Sequence, residues 1–270
     1  MSDAVTVVWL HGGGCDGCTM SVLGATSPRL EELLAGTLSR SDIRIVHPQL
    51  VLEAGRDYVE RLERARRGEI DPYLLVVEGS MLDQSRAGTG SFSRLGQRDG
   101  APVTVERWVS DLSTGAEVVV AIGTCATWGG IPAATGSVTG ATGVGALLGA
   151  GFRSRAGLPV VNVPGCAPSG DAFLETVQYL VLHLEGVVPF DIDELGRPRW
   201  LYAEETPLRR ARVHGVRREP AEPLTAPCPV PHRGWINRLG GCAVVGGDCN
   251  GCTRPDFPDR TLPLVAAAGR

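Results

Sequence analysis

The chain has 270 residues, 43% of them hydrophobic and 21% charged, so it can bury a real core and is no disordered polymer. The formal net charge is −4 with basic residues scattered along the chain, which excludes the basic footprint of a nucleic-acid binder. All 26 basic residues are arginine, which we read as coding bias and not as mechanism.

In chain order, the first 190 residues alternate short apolar runs with amphipathic stretches. Strands are expected at residues 5–10, 43–47, 73–77, 117–122 and 159–163. Each is almost continuously apolar, as parallel strands covered on both faces are. Helices are expected at 28–35, 53–67, 103–113 and 171–185. In the second of these, Tyr58, Val59 and Leu62 recur at helical spacing. The last is apolar over much of its surface and should pack on the sheet. Strand–helix alternation of this kind predicts an α/β domain over residues 1–190, built on a doubly wound parallel sheet.

Residues 191–270 read differently. Pro and Gly are dense, residues 209–218 are basic, and five prolines within 220–231 favour an extended segment over a helix. A loop-rich region with little core needs another tether, and its four cysteines suit a metal centre. No apolar run is long enough to cross a bilayer, so no transmembrane segment is expected. The chain starts with a strand-like VTVVWL and no export signal, so a cytoplasmic location is expected.

Eight cysteines stand at 15, 18, 125, 166, 228, 242, 249 and 252. A reducing cytosol argues against a disulfide framework and leaves metal sites, redox thiols or buried structural cysteines. Cys15 and Cys18 in HGGGCDGCTM, Cys125 in AIGTCATWGG and Cys166 in VNVPGCAPSG each follow an expected strand. In an open parallel sheet the strand ends line one edge, so these residues converge by topology. Three readings compete for the set. Incidental core cysteines would not all occupy glycine-rich loops after strands. Structural zinc usually takes paired C-x2-C knuckles close in sequence. An iron–sulfur cluster favours thiolate-only ligation and tolerates wide separation, and it leads.

WLHGGGCDGC, VVEGS ending the third strand at Glu78, GTCATWGG and NVPGCAP, in this order, resemble the small subunit of [NiFe] hydrogenases. The likeness runs from Val5 to about Pro258. It implies a flavodoxin-like domain in which Cys15, Cys18, Cys125 and Cys166 hold a proximal [4Fe–4S] cluster. That cluster would face a separate large subunit carrying the nickel–iron centre, and this chain would carry electrons without splitting hydrogen itself. The C-x2-C of Cys249 and Cys252, followed by TRPDFPD, is similar to the family's medial-cluster segment, with Cys228 as upstream ligand. Many members place proline at the remaining corner and hold a [3Fe–4S] cluster. Here Cys242 falls at that corner, so a medial [4Fe–4S] cluster is expected, the three-iron form being the alternative if Cys242 points elsewhere.

The family's distal cluster usually has a His-x2-Cys pair after a GRP-containing turn. Leu208 and Ala211 stand there instead, and His183, His214 and His232 read as ordinary residues. Two clusters are expected, with electrons leaving from the medial one to a partner docked near the C-terminal segment. Asp16, inside the first C-x2-C, would lower the cluster potential or else cap a turn in solvent. Glu78 is expected near the proximal cluster, in a proton path or in a plain salt bridge. His11 with the glycines at 12–14 lacks the lysine and hydroxyl of a phosphate loop, so no nucleotide is expected. Two alternatives remain: a complex I-like quinone-site subunit, which typically has adjacent cysteines in its first motif, and a hydrogen-sensing subunit. A higher oligomer is left open.

Overall fold

The structure, a computed structural model, describes residues 4–36, 41–48, 55–202, 205–207, 212–213, 216–217, 225–227 and 250–259. Strands β1 (Val5–His11), β2 (Ile43–Val46) and β3 (Tyr73–Glu78) come first, then a small hairpin of β4 (Gln97–Arg98) and β5 (Ala101–Pro102). Strands β6 (Val118–Ile122) and β7 (Val161–Val163) complete the main sheet. Its order is β2-β1-β3-β6-β7 with every pairing parallel. This is the doubly wound, flavodoxin-like order, with the direction of winding reversing at β1 and β3.

Every residue of β3 and β6 is buried, which is why these runs show no polar alternation. Their side chains part to two faces. Val8, Leu10, Leu75, Val77, Val119 and Ala121 pack with Tyr58, Leu62, Trp108 and Leu112. The latter belong to α3 (Gly55–Arg66) and α4 (Val105–Ser113). On the other face Val7, Trp9, Leu74, Val76, Val120 and Ile122 meet Leu33, Phe173, Val177 and Leu180. These come from α2 (Leu30–Leu34) and α7 (Gly170–Leu184). Burying one such side chain contributes about 1.5–3 kcal/mol, so the two layers together hold the sheet.

The expected elements are present with shifted ends. Helix α4 begins two residues late because Thr104 caps it, its side chain accepting from the Arg107 amide at 3.3 Å. The sheet strand expected from residue 159 starts at Val161. Three short helices were not anticipated: α1 (Gly17–Leu23), α5 (Gly123–Trp128) and α6 (Val144–Leu148). Each has at most two turns and carries glycine, so no periodic signal forms. After residue 190 the described residues include a short helix, Arg199–Tyr202, and two small antiparallel pairs, Glu205–Pro207 with Thr225–Pro227 and Arg212–Val213 with Val216–Arg217.

Candidate metal centre

All four cysteines of the first set lie at the carboxyl edge of the sheet. Cys15 sits between β1 and α1, Cys18 in the first turn of α1, Cys125 in α5 directly after β6, and Cys166 after β7. Cys15 and Cys166 are exposed; Cys18 and Cys125 are partly buried. Hydrogen bonds stitch the loops to one another. Gly12 donates to the Glu78 carbonyl at 2.7 Å, and the Ser21 hydroxyl of α1 donates to the Pro168 carbonyl at 2.7 Å. The Thr124 amide donates to the Gly165 carbonyl at 3.0 Å, joining the Cys125 and Cys166 loops.

Two glycines keep the space among the sulfurs open. Gly123 has φ +86°, and a Cβ there would run into the Cys18 sulfur. Gly130 has φ +55°, and its Cβ would lie 3.0 Å from the Cys125 sulfur. The amide of Ile131 hydrogen-bonds that same sulfur. Burial, then the negative potential of the neighbouring Cys166 and Cys15 thiols, pushes the Cys125 thiol up to about 11. Cys166 is raised by burial and by Cys15. Cys18 is pushed far up, first by burial, then by Glu78 and the other three thiols. Burial and mutual repulsion thus hold Cys18, Cys125 and Cys166 against ionisation until a cation shares the space. The donor set, the glycine-lined cradle and the mutual repulsion all fit a cationic iron–sulfur core.

Beneath the cysteines lies a buried polar network. Glu78 is buried at the end of β3, and one of its oxygens accepts from the Cys18 amide at 3.0 Å and the Thr19 amide at 3.2 Å. Its other oxygen accepts from the Thr19 hydroxyl at 2.6 Å. Thr19 has then spent its proton, so the His47 Nε2–H at 3.1 Å donates to it. His11 Nε2 faces the same His47 nitrogen at 3.4 Å, and His11 Nδ1 lies 3.1 Å from Asp16 Oδ1. His47 is fully buried; burial and then His11 drive it down to about 3, against the pull of Asp16. It is therefore neutral, in the Nε2–H tautomer.

Glu78 thus stands beside the cysteines, as the sequence suggests, but it anchors the Cys18 turn chiefly through hydrogen bonds to neutral donors. Asp16 is exposed and its side chain does not cap α1; it pairs with His11 from a left-handed backbone at φ 58°. Thr19 and His47 were missed by sequence reasoning. The available signal was that His47, like the cysteine loops, directly follows a strand of the parallel sheet.

Of the second set, Cys252 alone is among the described residues, partly buried, and its carbonyl accepts from the Thr124 hydroxyl. Cys228, Cys242 and Cys249 lie outside the described residues, as do Leu208, Ala211, His214 and His232. His183 accounts for itself near the end of α7, with Nδ1 3.0 Å from the Val188 carbonyl.

An α/β sheet whose strand ends gather four thiols defines a redox-protein class. Accordingly, the sequence model of the family described as NADH ubiquinone oxidoreductase, 20 Kd subunit, matches residues 15–180. That span holds the first cysteine set and ends before the second. The periplasmic [NiFeSe] hydrogenase small subunit of Desulfomicrobium baculatum is 30% identical over 97% of this chain and 87% of its own length. Periplasmic [NiFe] hydrogenase small subunit 1 of Nitratidesulfovibrio vulgaris is 27% identical over 96% and 81%. The actinobacterial-type NiFe-hydrogenase from Ralstonia eutropha H16 superposes with a TM-score of 0.87 at 37% identity, covering 98% of this chain and 82% of that one. The chain belongs to the small subunits of [NiFe] hydrogenases. It is the electron-transfer member of a heteromeric oxidoreductase whose nickel–iron site lies in the large subunit, and small subunits of this family carry iron–sulfur clusters. The relatives align across both cysteine sets, which favours this reading over a complex I-like one. Among the described residues no helix is long and apolar enough to cross a membrane.

Proposed function

We propose that the chain relays single electrons between the large subunit and a redox partner docked near its C-terminal segment, through two iron–sulfur clusters. Cys15, Cys18, Cys125 and Cys166 hold the proximal [4Fe–4S] cluster. Cys228, Cys242, Cys249 and Cys252 hold the medial one, where a fourth thiolate favours retention of a fourth iron. Bound there, the clusters supply reversible one-electron storage. The observation that carries this reading is the convergence of four thiols from three separate loops on a glycine-lined cradle at one sheet edge.

The chain's own residues do the rest. Glu78 and Thr19 fix the turn that aims Cys18, and the Ile131 amide steadies Cys125. Met20 and Ile131, 65% and 51% exposed, offer apolar surface beside the sulfurs. Seating the large subunit on this face excludes water from Cys15 and Cys166. With Leu208 and Ala211 at the distal positions, no third cluster is expected.

Co-expression with the large subunit and anaerobic iron analysis test the proposal. About nine irons per heterodimer are expected, eight in the two clusters and one in the nickel–iron centre. Far fewer, unrecovered after reconstitution, would overturn it. Cys242→Pro should convert the medial cluster to a three-iron species by electron paramagnetic resonance; an unchanged spectrum removes Cys242 from the ligand set.

A further inference from the structure

One buried hydroxyl touches three cysteine loops. Thr124 is 1% exposed and precedes Cys125. Its hydroxyl donates to the carbonyl of Cys252 and accepts from the amide of Gly165, next to Cys166, at 2.9 Å. The single proton and one lone pair are thereby both used. The contact is not isolated. The Trp128 indole donates to the Thr253 carbonyl at 3.3 Å, and the amide and hydroxyl of Thr135 each donate to Asp259 at 2.9 Å. Residues 252–259 therefore lie along α5 and the turn after it, with Thr124 at the end nearest the cysteines.

We propose that Thr124 is the positioning residue that couples the two sulfur sites. Through its hydroxyl it holds the Cys252 loop in register with Cys125 and Cys166, and it completes a bonded connection between the sites with one hydrogen bond in an otherwise covalent chain from Cys125 to Cys252. This rests on the two-cluster reading above. One electron passes between the two sites; no bond breaks, and the hydroxyl proton stays on Oγ1. Donation to the Cys252 carbonyl also draws negative charge away from that ligand, which favours the reduced state of the second site.

The test compares Thr124→Val and Thr124→Ser in the anaerobically purified two-subunit enzyme. Valine keeps the shape and removes the hydroxyl; serine keeps the hydroxyl. With valine, hydrogen exchange at the Gly165 and Arg254 amides should accelerate about tenfold or more, because a buried donor and acceptor lose their partners. The midpoint potential of the second cluster should fall, at unchanged iron content, and serine should restore both. An unmoved potential overturns the proposal even if exchange accelerates, since Thr124 is then merely structural. Failure of serine to restore also overturns it. If the valine variant does not accumulate, native exchange decides: Gly165 and Arg254 must open at one common rate, and rates more than about tenfold apart overturn the coupling. Absence of iron from the native enzyme would instead sink the two-cluster reading, while the exchange arm still reports the clamp.

Discussion

Glu78 is held at the cysteines by neutral donors: two backbone amides and a hydroxyl, with His11 Nδ1 3.7 Å away. A carboxylate so placed opposes any added negative charge at Cys18. Glu78→Gln retains an oxygen for the two amides, and its NH2 donates to Thr19, whose hydroxyl then turns to His47 as that ring shifts its proton to Nδ1, so geometry is kept while charge is lost. The proximal reduction potential should rise by on the order of tens of millivolts in a spectroscopic redox titration. A potential that does not move would overturn an electrostatic role for Glu78 at this site. Glu78→Ala instead leaves buried amides without an acceptor, at a cost of about 1–3 kcal/mol in unfolding experiments. His47 makes a separate prediction. Unfolded, it takes up a proton near pH 6.5; folded, it resists until about pH 3. The unfolded state therefore binds the extra proton between these values. Stability is unaffected by this group above pH 6.5 and declines below it, by about 1.4 kcal/mol per pH unit. Urea unfolding at pH 7 and pH 5 should differ by about 2 kcal/mol from this group alone, and His47→Gln should abolish that part of the difference.

At the scale of elements, what was legible followed periodicity, and what was not depended on pairings across the chain. Helix α7 could be read because Phe173, Val177, Leu180 and Val181 all turn to the sheet, and β3 and β6 because burial on both faces forces unbroken apolar runs. The placement of the first four cysteines at the sheet edge could be read because their loops follow such runs. Helices α1 and α5 could not, since each is set by glycine and by tertiary bonds: Glu78 on the first turn of α1, and Thr124 tying α5 to the Cys166 loop. Nor could the links from His11 to His47 or from Thr124 to Cys252, which span 36 and 128 residues and leave no local pattern. Gly123 shows how tightly α5 is fitted. Gly123→Ala forces a Cβ into a left-handed backbone, costing about 1–2 kcal/mol, and onto the Cys18 sulfur. The variant should lose proximal iron while the fold persists by circular dichroism. Gly145→Ala, in α6 where a Cβ meets nothing within 4 Å, is the matched control and should be neutral or stabilising by up to about 1 kcal/mol.

At the scale of the molecule, the sheet's winding puts the sulfurs where a second subunit can reach them. Order reversal at β1 and β3 opens a crevice at the carboxyl edge, and the loops after β1, β6 and β7 fill its rim. Cys15 and Cys166 are exposed on that rim, and Met20 and Ile131 stand out beside Cys18 and Cys125. Ile131 is the sharper probe, because its backbone already serves the Cys125 sulfur while its side chain is free to change. Full burial of such a side chain contributes about 1.5–3 kcal/mol, and roughly half its area is still open in this subunit. Ile131→Ala should therefore weaken association with the large subunit about tenfold, at constant iron per small subunit. Ile131→Glu adds the desolvation of a carboxylate and should prevent stable co-purification altogether. If the glutamate variant instead co-purifies as well as the native chain, the large subunit must seat elsewhere. The exposed Cys15 and Cys166 thiols would then need another cover to keep out water.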